Sequence, residues 1–162
     1  MMRAPSRLSA GLLLHRENEG EIAVLLVHPG GPFWAKKDLG AWSIPKGEYA
    51  PDEDPLAAAR REFAEETGYE PEGPFMPLGE VKQPGGKRVT AWAARGDFDP
   101  ALLRSNQFES EWPPRSGRRQ SFPEVDRAGW FSPGEARRRL LSAQGAFVDR
   151  LLELLARGAW NQ

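Results

Sequence analysis

Apolar positions along the chain fall into short runs separated by polar and turn-forming stretches. Two runs, residues 8–15 (LSAGLLLH) and 22–28 (IAVLLVH), are almost continuously apolar, the pattern of strands covered on both faces. The polar stretch between them holds Gly20 and predicts a hairpin turn. The segment PGGPFWAKKDLG then reads as a loop leading to a short strand at residues 42–44.

The next segment predicts a helix over 55–67. Asp54 stands at the N-cap position, Pro55 in the first turn where its missing N–H costs nothing, and Gly68 where a left-handed cap is needed. Leu56, Ala59 and Phe63 make its apolar face. Beyond it, residues 75–83 and 87–95 predict two strands around Pro84-Gly85-Gly86. A weaker strand at 108–112 runs into a loop over 113–117, and a last strand at 128–131 meets Ser132-Pro133, a helix start with Glu135 placed to complete a capping box. Helical pattern over 134–141 and 142–156 closes the chain. Strands and helices alternate without strict βαβ repetition, so the expected class is α+β, a mixed sheet between helices.

Composition narrows the chemistry. A length of 162 residues suits one domain over 1–162. The 22 basic against 23 acidic residues give a net charge of −1, which supplies no general field for extended nucleic acid. With no cysteine and two histidines, a thiolate nucleophile or a zinc–thiolate site is excluded, and any metal must be held by oxygen. The amino-terminal apolar run is too short for a signal peptide or a membrane span, which leads us to expect a cytoplasmic protein. Nothing in the pattern fixes an oligomeric state.

Glu62, Glu65 and Glu66 are spaced i, i+3 and i+4 on the predicted helix, so their carboxylates share a face within reach of a common point. Alone they repel one another, or face solvent paired with Arg60 and Arg61; magnesium or manganese, which take hard oxygen ligands, would remove the repulsion.

The context of these glutamates carries a resemblance. Gly47 is followed by five residues and Glu53, then by seven residues and Arg61-Glu62-Phe63-Ala64-Glu65-Glu66-Thr67-Gly68-Tyr69. This stretch, residues 47–69, resembles the complete Nudix box, with Tyr69 where an aliphatic residue is usual. The resemblance implies an α/β/α sandwich and magnesium- or manganese-dependent hydrolysis of a nucleoside diphosphate linked to another moiety. It further implies that Glu62, Glu65 and Glu66 bind metal with the backbone carbonyl of Lys46, and that Arg61 pairs with Glu53 to hold the loop. Two carboxylates compete as the base that takes the proton of the attacking water: Glu62, and Glu124 from a distant loop, with Glu109 and Glu111 as rivals for the loop position.

For the substrate, the lead-in Trp42-Ser43-Ile44-Pro45-Lys46-Gly47 is similar to that of diadenosine polyphosphate hydrolases of the superfamily and puts Trp42 and Lys46 at the substrate. Pro84, fifteen residues after Tyr69, instead matches ADP-ribose pyrophosphatases. Lys36, Lys37, Arg115, Arg118 and Arg119, with Lys82 and Lys87, are the loop cations available for phosphates. Trp34, Trp92, Phe108 and Trp112 are the aromatics able to stack a base. Arg137-Arg138-Arg139 is expected to face solvent near a helix end. A nucleotide- or RNA-binding module without catalysis is the alternative class, though such modules usually lose box glutamates and this chain keeps all of them.

Overall fold

The computed structural model describes residues 7–160. Strands β1 (Leu8–Asn18) and β2 (Glu21–Pro29) form the expected hairpin. Glu19 and Gly20 between them both have positive φ, the turn whose twist matches the flanking strands. The pairing carries both strands past the apolar runs into polar residues, which is why they outlast the pattern that predicted them.

Residues 42–44 do not form the expected strand. Trp42 and Ser43 make isolated bridges, to Leu140 and Val27, and the strand proper is β3 (Lys46–Glu48). Pro45 explains the break, because it has no N–H to extend a ladder; its carbonyl accepts the Leu12 N–H instead. Helix α1 (Pro55–Thr67) follows, then β4 (Phe75–Lys82) and β5 (Arg88–Arg95) around the predicted turn.

The segment after β5 holds more structure than its composition suggests. Strand β6 (Gln107–Glu111) pairs with β7 (Arg119–Pro123) in a separate two-stranded hairpin, and β8 (Val125–Phe131) begins three residues earlier than expected. Strand β7 has an exposed polar start and no period-two alternation to announce it. Helix α2 (Pro133–Arg139) stops short of residue 141, because the Arg138 and Arg139 carbonyls accept the Gly40 and Trp42 N–H groups and the Leu141 N–H donates to the Trp42 carbonyl. A 3₁₀ turn (Ser142–Gln144) leads into α3 (Gly145–Ala156). Ser132 caps α2 as expected, but the Glu135 carboxylate does not reach back to complete the box; it pairs with Arg138 and Arg139.

The main sheet has the order β4-β5-β1-β2-β8, with β3 also on β1. Of the strand pairings among the described residues β1–β5 alone is parallel, so the sheet is mixed. Alternate β1 side chains enter two cores: Ala10, Leu12 and Leu14 pack with Ala59 and Phe63 of α1, whereas Leu13 joins Phe147, Val148 and Leu151 of α3 on the other face. The architecture is the expected α+β sandwich. Arg137 to Arg139 are not a free solvated run: Arg137 pairs with Asp149 of α3 at 2.7 Å, and Arg139 with Asp38 at 2.8 Å, where it fastens the loop after β2.

Candidate active site

The site is built on α1. Its start is fixed by Asp54, whose carboxylate accepts the Ala57 N–H at 2.9 Å, and its end by Gly68 at φ 82°. Ala58, Ala59, Phe63 and Thr67 are buried against the sheet, and Leu56 partly so. The acidic residues occupy the remaining face.

Their carboxylates do not yet meet at one point, which corrects the simplest reading of the spacing. Among the described residues no three acidic or histidine side chains converge closely enough to hold a cation as they stand. Glu66 is 8% exposed and accepts the Lys46 N–H at 3.1 Å. Glu62 accepts from Arg61 at 2.8 Å, and Glu65 from the same nitrogen at 3.4 Å. The other edge of the Arg61 guanidinium grips Glu53, with contacts of 3.0 to 3.3 Å to both carboxylate oxygens. Arg61 therefore ties the loop before the helix to the helix's own acidic face. Gly47 faces Glu62 so closely that a Cβ there would lie 2.0 Å from that carboxylate, so any larger residue would have to displace the Glu62 side chain.

Glu124 comes to the same place through a chain of backbone hydrogen bonds. Asn106 N–H donates to the Glu65 carbonyl and Glu124 N–H to the Asn106 carbonyl, both at 2.8 Å. Asn106 is a positioning residue that neither pattern nor motif announced. Glu109 and Glu111 stay on the β6–β7 hairpin, the first in a diagonal ion pair with Arg119 at 3.5 Å and the second accepting the Arg115 N–H.

Crowding marks the electrostatics. Burial pushes Glu66 up to about 8, opposed by the Lys46 amide and ammonium and assisted by Glu62 and Glu124. Glu62 is raised by burial and by Glu65, against the pull of Arg61. Glu124 is raised by burial and then by Glu65. Lys46 is lowered to about 8, chiefly by burial and then by neighbouring Lys87, with Glu66 and Glu48 opposing. Burial and mutual repulsion thus both disfavour the ionised form of these carboxyls, most of all at Glu66.

The remaining expected site residues scatter. Trp42, expected at the substrate, is corrected to a core residue: it is 4% exposed, donates from its indole nitrogen to Asp38, and packs edge-on against His28 and Phe131. Arg115, Arg118 and Arg119 sit at the exposed outer end of the β6–β7 hairpin. Arg119 lies four positions along β7 from Pro123, the end nearest Glu124, roughly 13 Å at ~3.3 Å per residue, and its guanidinium pairs with Glu109. Lys36 and Lys37 lie in the exposed loop after β2. That loop is held by Gly30 N–H on the Glu124 carbonyl at 2.9 Å and by buried His28, whose Nε2 donates to the Lys37 carbonyl while Nδ1 lies 2.8 Å from Asp126.

Residues 5–151 match the family model described as NUDIX domain. The chain belongs to the Nudix family. Among its relatives is an RNA pyrophosphohydrolase of Thioalkalivibrio sulfidiphilus (strain HL-EbGR7), 55% identical over 42 residues, a match spanning 25% of this chain and 24% of that protein. The solved structures it resembles include a Caenorhabditis elegans Ap4A hydrolase binary complex (TM-score 0.66, 22% identity, 92% of this chain and 98% of that one). The NUDIX domain of Shewanella oneidensis NrtR with ADP ribose is similar too (TM-score 0.65, 17% identity, 94% and 90%). At these identities the structural likenesses establish the Nudix fold, and the loop–helix–loop of residues 47–69 lies inside the matched span.

Proposed function

We propose that this Nudix domain hydrolyses a pyrophosphate bond of a nucleoside polyphosphate by attack of water at phosphorus, with a dinucleoside polyphosphate such as diadenosine tetraphosphate as the first substrate class. The observation that carries the reading is the packed acidic face: Glu62, Glu65 and Glu66 stand together on α1, the Asn106 backbone ties Glu124 to it, and burial first and mutual repulsion second raise Glu62, Glu66 and Glu124 from the ordinary carboxylate value. Such a face favours a cation, and its donors are all oxygen, which suits magnesium or manganese. Glu62, Glu65 and Glu66, with the Lys46 carbonyl, would hold the ion. Bound there, it would supply charge neutralisation for phosphate oxygens and a lowered pKa for water.

The chain's own groups do the rest. Arg61 keeps the Glu53 loop against α1, so the glutamates stay on a fixed frame. Glu62 or Glu124 takes the proton of the attacking water as the new P–O bond forms and the bridging P–O bond breaks. Glu124 gains weight in that role from its anchoring through Asn106. Lys46 and the loop residues Lys36 and Lys37 are the cations offered to the phosphate chain.

The test is release of product from diadenosine tetraphosphate, ATP, ADP-ribose and a 5′-triphosphorylated RNA oligonucleotide, with magnesium, manganese or a chelator. We expect metal-dependent turnover and the highest kcat/KM for diadenosine tetraphosphate. Preference for ADP-ribose would reject that substrate and turn attention to Pro84. Binding without turnover across the panel would reject hydrolysis in favour of a binding module.

A further inference from the structure

A cavity of about 340 Å³ lies across the sheet from α1, where the ends of β1, β2 and β5 meet the end of α3. Side chains two apart on a strand share a face, so His15 follows Leu13 onto the side of β1 that α3 covers. Arg95 is the partner of His15 in the parallel β1–β5 ladder, and its side chain turns the same way. Ile22, Leu152 and Leu155 give the cavity apolar walls, and Arg95 and Glu17 stand exposed at its rim. The volume is at the lower end of the about 300–1,000 Å³ usual for small-molecule sites.

Two buried polar atoms on its wall, His15 Nε2 and Trp160 Nε1, have no hydrogen-bond partner among the described residues. His15 is 2% exposed. Trp160 reaches it through the turn that ends α3, where Gly158 has φ 74° and donates to the Leu155 carbonyl. The two rings then stand edge-on, with centroids 4.5 Å apart and planes at 76°. A buried polar group without a partner is costly, and two on adjoining rings in one cavity call for a ligand that completes them. The indole N–H and the guanidinium can only donate. Burial, and then Arg95, push the His15 imidazole down to about 4, so at neutral pH it is uncharged and can offer Nε2–H as well. The missing partner is therefore an acceptor, and the Arg95 cation favours a negative one. Water would satisfy the donors and leave the apolar walls wet.

We infer that this cavity is a second binding site, for a small carboxylate with an apolar body: the carboxylate accepts from Trp160 Nε1 and His15 Nε2 and faces Arg95, while the body lies along Ile22, Leu152 and Leu155. Glu17 is the one acid on the rim and opposes the ligand, which sets a limit on affinity. The site shares no residue with the acidic face and lies on the other side of the sheet, so its occupant is a different molecule from the nucleotide.

The experiment titrates the full chain with hexanoate, hexanol and inorganic phosphate and follows the Trp160 indole N–H by NMR, its signal identified by its loss in Trp160→Phe. No nucleotide or metal is present, so the result stands apart from the hydrolytic reading. We expect hexanoate to shift that signal with a dissociation constant on the order of 1 mM, hexanol to bind about tenfold more weakly for want of the charge-assisted contact, and phosphate to leave the signal in place. Arg95→Gln should weaken hexanoate about tenfold and leave hexanol unchanged. Glu17→Gln should tighten hexanoate. A signal that stays put through the hexanoate titration leaves the cavity to water and overturns the proposal. Equal binding of hexanoate and hexanol, or hexanoate affinity untouched by Arg95→Gln, removes the carboxylate from it. Phosphate binding as well as hexanoate would reduce the site to a general anion patch, and weaker hexanoate binding in Glu17→Gln would reject an anionic ligand.

Discussion

Glu66 is held in two demands at once. It is buried and accepts the Lys46 amide proton, yet burial and its acidic neighbours push it up to about 8. A carboxyl whose folded pKa lies above its unfolded value binds more protons when folded, so its contribution is full below the unfolded pKa and is lost as pH rises from about 4.5 to about 8. Replacing Glu66 by Gln removes that slope. In chelator at pH 8 to 9 the variant should melt above wild type, by an amount on the order of 3–5 kcal/mol at most, while the two converge near pH 5. With magnesium and a nucleotide, the same change should cost at least about 10²-fold in turnover. Near-wild-type turnover with saturating metal would show that Glu66 is no ligand. The opposite signs of the two effects separate a functional carboxylate from a structural one.

For single elements, what the chain announces depends on whether local rules or distant partners make the element. Helix α1 was legible to the residue, because Asp54, Pro55 and Gly68 act within a turn of their own positions. The Arg61–Glu53 pair, expected from the resemblance, is present with both carboxylate oxygens engaged. Strands β3 and β7 were misplaced or missed, since β3 exists only by pairing with β1 and β7 only by pairing with β6. The same limit hid Asn106, whose backbone joins α1 to Glu124 and whose side chain gives no signal. Trp42 was misread because its motif position says nothing about which way the ring turns. Arg61→Lys tests the α1 element: it keeps the charge and loses the planar fork, so the 47–53 loop should lose its anchor. We expect turnover to fall about tenfold or more with Tm lowered only slightly; unchanged turnover would reduce Arg61 to a surface ion pair.

Taken as a whole, the molecule is organised around β1, which feeds side chains to both cores and backbone pairs to β2, β3 and β5. Gly11 marks where the box loop lies against that strand. A Cβ there would meet the Pro45 carbonyl oxygen at 2.5 Å and the Lys46 Cβ at 2.7 Å, neither the far end of a flexible chain. Gly11→Ala should therefore push the 45–47 segment away from the sheet, lowering stability by about 1–3 kcal/mol and turnover more than the remaining folded fraction explains. Equal losses in the two would mean that the loop follows the strand without penalty.

Because β2 pairs with β1 at residues 15–18 and β3 at residues 9–11, the two halves of β1 answer to different neighbours. The Leu12 N–H is bonded to the Pro45 carbonyl and the Tyr49 N–H to the Leu8 carbonyl, one at each end of β3. These two protons can exchange with deuterated solvent only when the box loop detaches from the strand, whereas protons shared by β1 and β5 wait for the sheet itself to open. Their exchange rates form a clock for loop detachment, readable in the resting protein without substrate.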